Sequence, residues 1–153
     1  MSAGLEGSLT AAHAEVKAEI ARTDNKTGLL LAFIGALLAG VWTVAKDADL
    51  PVTALVVGGV GAALLVVVVG VLLRAVRPAL GGSRPVGFPR WATLTAEEIR
   101  AELSEDKRAE HIAALSRIAV DKYLRLRRAV DLTRAACALF VIAAVIGAGG
   151  ALA

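Results

Sequence analysis

The chain has 153 residues, 57% hydrophobic and 4% aromatic, with a mean hydropathy of +0.68 and a net charge of +3. Its apolar mass is alanine, valine, leucine and glycine gathered into three blocks, which argues against an ordinary water-soluble core. Its single cysteine, Cys137, excludes an intrachain disulfide, and the widely separated His13 and His111 offer no metal-ligand or catalytic spacing.

Residues 1–26 are mostly polar, acidic and basic alike. Within them Leu9, Ala12, Val16, Ile20 and Thr23 recur every three or four residues, which predicts an amphipathic helix whose apolar stripe is buried against another helix. The leader lacks the short basic start and small-residue cleavage site of a signal peptide, so the block after it is expected to be retained. The stretch "ARTDNKTGLLLAF" joins the two with no proline or glycine before Thr27, so the helix is expected to run on. Arg22, Asp24, Asn25 and Lys26 then form a polar joint around one turn at the membrane edge.

The first block, 27–45, has 19 residues without a charge; 51–73 has 23, and 135–153 again has 19. A hydrocarbon core about 30 Å thick needs roughly 20 residues rising 1.5 Å each, and these blocks are apolar all round. The predicted fold is an all-α membrane protein with three transmembrane helices and helical cytosolic extensions of the first and third. No ionisable residue lies within the three blocks. Small residues four apart, Ala32, Ala36 and Gly40 in the first and Gly59 and Ala63 in the second, allow helices to approach closely. Three thin helices cannot enclose a pore by themselves, and a homo-oligomer is expected.

The turn at 46–50 carries one lysine, whereas Arg74 to Arg134 carries 13 Lys and Arg against 8 Asp and Glu. By the positive-inside rule the N-terminus and the long connection are expected to be cytoplasmic, and the turn and the C-terminus external. The basic connection fits anionic lipid heads or a phosphate-bearing ligand better than duplex nucleic acid.

The loop assigned to 74–94 holds three prolines, three glycines and four arginines in "RAVRPALGGSRPVGFPRW", with Phe88 and Trp91 expected at headgroup level and Trp42 on the opposite face. Its "GGSRP" lacks the lysine and hydroxyl spacing of a P-loop, and no strand precedes it. The cytosolic helices assigned to 95–134 begin at "TAEE", a capping box of Thr95 and Glu98, with Ile99 and Leu103 on one face. "SEDK" ends that helix. From about Asp106 one helix is expected to continue into the third span, its cytosolic part presenting Ile112, Leu115, Ala119, Leu126 and Val130 at helical spacing. Along it lie Asp121, Lys122, Arg125, Arg127, Arg128, Asp131 and Arg134, and Asp24 and Asp131 are expected to pair with nearby cations.

Enzymatic activity, a cofactor and a metal are not expected. Ser116 has no acid or base at motif spacing, and the consecutive Glu97 and Glu98 diverge around their helix.

The stretch "EIARTDNKTGLLLAFIGALLAG", the short turn and second span after it, and the late "LSRIAVDKYLRLRRAVDL" resemble the membrane effectors of the bacterial Pycsar antiphage systems. The residues that match are Asp24, Lys26, Leu30, Ser116, Lys122, Tyr123 and Arg128. The resemblance implies an inner-membrane effector that responds to a cyclic pyrimidine mononucleotide, cyclic UMP or cyclic CMP, by impairing the membrane. No separate nucleotide-binding β-domain is present in the sequence, so a sensor would be built from the cytosolic helices and the arginine-rich loop. Arg84, Arg90, Trp91, Tyr123, Arg125, Arg127 and Arg128 supply the cations and aromatic faces that such a ligand needs. Similar chains are also called integral membrane plasmid transfer or spread proteins, so a role in conjugative transfer and a passive membrane scaffold are the alternatives.

Overall fold

The structure, a computed structural model, describes residues 2–76 and 88–150. They form helices α1 (Ser2–Asp47), α2 (Val52–Val76), α3 (Phe88–Trp91), α4 (Ala96–Ser104) and α5 (Arg108–Gly150), with no strand among the described residues. Three of these, α1, α2 and α5, are long and apolar enough to cross a membrane. Helix α1 runs 46 residues and α5 43 without a break, each joining a polar half to an apolar one. The loop assigned to 74–94 is shorter than expected, because Arg74 to Val76 still belong to α2 and Phe88 to Trp91 form a turn of helix. Arg84, the "GGSRP" stretch and the side chains of Phe88 and Leu103 lie outside the described residues.

The chain divides into two units, one of Met1–Thr23 with Arg77–Tyr123, the other of Asp24–Val76 with Leu124–Ala153. In the first, the stripe Leu9, Ala12, Val16 and Ile20 is half-buried and Thr23 is buried, while Ile112, Leu115 and Ala119 are half-buried on α5. Arg108, at the start of α5, donates to the Thr10 hydroxyl (2.9 Å) and the Glu6 carbonyl (3.4 Å) of α1. The capping box at Thr95 is formed: the Glu98 amide donates to the Thr95 hydroxyl (3.3 Å), and the Thr95 amide donates to the Glu98 carboxylate (2.7 Å).

The second unit is three packed helices. Leu50 donates to the Ala48 carbonyl (2.9 Å) in the tight turn, and Pro51 supplies the first carbonyl of α2, accepting from Leu55 (3.1 Å). Ile34, Leu65, Val68, Leu72, Leu126, Ala129 and Ala136 form the core, with Phe140 packed against it. Val130, expected on the inner face, is instead exposed, and Ala129 and Thr133 take that position. The helical repeat from Leu126 brings residues three and seven further on to the core, leaving the fourth at its margin. Thr133 is buried and satisfies its hydroxyl by donating to the Ala129 carbonyl (2.8 Å).

Helices α2 and α5 run antiparallel and meet at a glycine. A Cβ added at Gly61 would lie 3.1 Å from a Phe140 ring carbon and 3.3 Å from the Ala136 carbonyl, whereas one at Gly59 would meet nothing within 4 Å. Gly61→Leu is therefore expected to destabilise the helix packing by about 1–3 kcal/mol through overpacking. Gly59→Leu is expected to stay within about 0.5 kcal/mol of the parent. Thermal unfolding of the detergent-solubilised chains measures both.

Candidate functional site

The polar candidates of the first unit are arranged by the short helices. Trp91 ends α3 half-buried, and Thr93 folds the chain back by donating through its amide (2.9 Å) and hydroxyl (2.7 Å) to the Arg90 carbonyl. That turn carries Arg90 to α4, where its guanidinium forks onto both Glu102 oxygens at 3.0 and 3.1 Å. Lys107 joins them, 3.4 Å from Glu102 and 2.8 Å from Glu105. Hydrogen bonding from Arg90 holds the Glu102 carboxyl below the usual carboxylate range, and the same bond raises Arg90. These groups, with Leu94, Glu98, Ala101 and Ser104, line a cleft of about 420 Å³. Arg90 thus has its fork occupied, and a phosphate there must compete with Glu102.

Tyr123 is exposed on the first-unit part of α5, while Arg125, Arg127 and Arg128 belong to the second unit. Arg125 donates to the Arg74 carbonyl (3.1 Å) in the last turn of α2, a cation placed against the negative end of a helix dipole. Arg127 and Arg128 are exposed and make no side-chain bond with any described residue.

The polar joint is likewise divided, Arg22 and Lys122 lying in the first unit and Asp24, Asn25, Lys26 and Asp131 in the second. Arg22 pairs with Glu19 on its own helix (3.5 Å). Asp24 and Lys122 are half-buried and have interaction partners, and Asn25 and Lys26 are exposed. Asp131, expected to pair with a cation, is exposed and has no ion-pair partner among the described residues.

His13 and His111, isolated in the sequence, come within electrostatic range of each other between α1 and α5. Burial, then the charges of Lys17 and His111, hold His13 below the ordinary histidine value. Cys137 is a half-buried free thiol, and the described residues contain no group of three side chains able to hold a metal. Glu102 and Arg108 were not legible as site residues. Their contacts cross a turn or join distant helices, and no local spacing announces them.

A family model described as the Pycsar effector protein domain matches residues 8–149, nearly the whole chain. The chain belongs to the Pycsar effector family. No curated protein and no solved structure is significantly similar to it. Family membership gives this Pycsar effector a role in Pycsar antiphage defence, and its three long apolar helices make it a membrane protein.

Among the described residues the shortest charge contact lies at the start of α5. Asp106 accepts from the side chain of Arg108 at 2.8 and 2.7 Å and from its amide at 3.2 Å, and these bonds lower its carboxyl pKa to about 2. Because the folded value is depressed, the contact contributes fully above the unfolded value, about 3.9. Its contribution is lost as pH falls through the folded value. Carboxyl carbon NMR is expected to find Asp106 titrating at about 2. A midpoint near 4 would mean that Arg108 does not hold it.

Proposed function

We propose that this Pycsar effector is a sensor and membrane disruptor in one chain, set in the bacterial inner membrane with its N-terminus cytoplasmic and its C-terminus external. A cyclic pyrimidine mononucleotide, cyclic UMP or cyclic CMP, triggers it, and several copies together breach the bilayer. The observation that carries this reading is the family match over residues 8–149, joined to two helices that each run unbroken from a polar half into an apolar one. In such a helix a tilt at the polar end is carried into the apolar end without a hinge.

The proposed ligand cations and aromatic faces are Arg84, Arg90, Trp91, Tyr123, Arg125, Arg127 and Arg128. Of these, Arg127 and Arg128 are exposed and hold no side-chain bond with any described residue, so they are the first expected to meet a phosphate. For disruption, the small residues Ala32, Ala36 and Gly40 of α1 and Gly59 and Ala63 of α2 are exposed. Gly40 and Gly59 have no neighbour where a Cβ would stand. Small residues left uncovered in one chain leave room for a helix of another.

The test is binding of cyclic UMP and cyclic CMP to the purified full-length chain, followed by dye leakage from liposomes. One or both nucleotides are expected to bind, and Arg127→Ala or Arg128→Ala to weaken binding about tenfold, the scale of one charge-assisted hydrogen bond. Asp24→Lys is expected to impair leakage far more than Glu15→Lys. Absence of binding to both nucleotides sinks the trigger; parent-like leakage from Asp24→Lys sinks the role of the joint.

A further inference from the structure

One face of α5 in the second unit is charged, uncovered and set deep beside apolar helices. Arg127, Asp131 and Arg134 are spaced four and three residues apart, which puts them on one side of the helix. The opposite side carries Leu126, Ala129, Thr133 and Ala136, all buried. The three charged residues are exposed, and none makes a side-chain hydrogen bond or ion pair with any described residue.

Helix packing fixes their depth. The bond from Arg125 to the Arg74 carbonyl sets Arg125 near the last charged residue of α2. From there Asp131 lies about 9 Å and Arg134 about 13 Å further along α5, at 1.5 Å per residue. The contacts of Gly61 with Ala136 and Phe140, and of Gly58 with Ala143, hold the same antiparallel register. Arg134 therefore stands level with the turn around Leu65, and α2 has no ionisable residue from Val52 to Leu73. An arginine can extend part of the way to the headgroups, but the short Asp131 side chain cannot cover such a distance. A carboxylate at this depth calls for a cation brought to it.

We propose that this face packs against the same face of a second copy of the chain, with Asp131 of each copy pairing with Arg134 of its neighbour. The inference rests on the membrane placement and self-association put forward above and adds a charged surface on α5 to the small-residue stripes of α1 and α2. Copies inserted in the same direction bring each residue level with its own counterpart and one turn from the residues flanking it. Asp131 of each copy then lies one turn from Arg134 of the other, within the reach of the long arginine side chain. Ala138, exposed on the same face one turn further on, keeps the two backbones close. In an assembly of several copies this turn forms a polar wall inside the apolar layer.

The experiment uses the full-length chain in liposomes. Asp131→Arg and Arg134→Asp are each expected to lose most self-association when reconstituted singly, and to regain it when the two variants are mixed. Pairing within one helix cannot give that rescue. In a Cys137→Ala background, a bismaleimide is expected to cross-link most Ala138→Cys chains. Failure of the mixture to assemble overturns the proposal, as does absence of Ala138→Cys cross-linking in a chain that still self-associates; in either case association by another face still stands. A monomeric parent overturns both this surface and self-association itself.

Discussion

Gly61 lets α2 lie against Ala136 and Phe140 of α5, and the packing of Ile34, Leu65, Val68, Leu72 and Ala129 follows from that close approach. The contact uses up the inward faces of the three helices and leaves outward faces that are just as apolar. Val52, Trp42 and Val145 are 75%, 72% and 66% exposed. In water such a surface would drive aggregation; in hydrocarbon it costs nothing, provided that every backbone amide and carbonyl is bonded within its own segment. Unbroken helices meet that condition, so solvent and fold select each other.

The cost falls where charge enters the apolar layer. An aspartate or arginine at the centre of a membrane helix costs about 2.5–3.5 kcal/mol on insertion scales, and Asp131 has no ion-pair partner among the described residues. Arg125, by contrast, is held against the carbonyl end of α2, and Glu102 carries two cations.

Much of the architecture was legible because it is written in local signals. The three uncharged blocks, the Thr95 capping box, the break at "SEDK" and the absence of helix breakers from Asp106 onward each depend on neighbours within one or two turns, and the helices follow them. What depends on the register between helices was not legible. Val130 and Ala129 are indistinguishable by periodicity until the partner helix shows which one faces inward. The three blocks contain no charge, yet the register against α2 sets Arg134 level with the turn around Leu65. Arg90 was expected among the cations for a phosphate, and its contact with Glu102, 12 residues on, belongs to no motif. His13 and His111 met for the same reason, through the pairing of α1 with α5.

The placement of the chain across the bilayer is tested most directly by one-sided labelling with a membrane-impermeant maleimide. Glu15→Cys, Asp47→Cys and Glu97→Cys, each in a Cys137→Ala background, are expressed separately in intact spheroplasts. A chain that crosses three times with both polar halves inside is expected to be labelled at Asp47→Cys, and at Glu15→Cys and Glu97→Cys only after permeabilisation. Labelling of Glu15→Cys and Asp47→Cys from the same side, without permeabilisation, would contradict it.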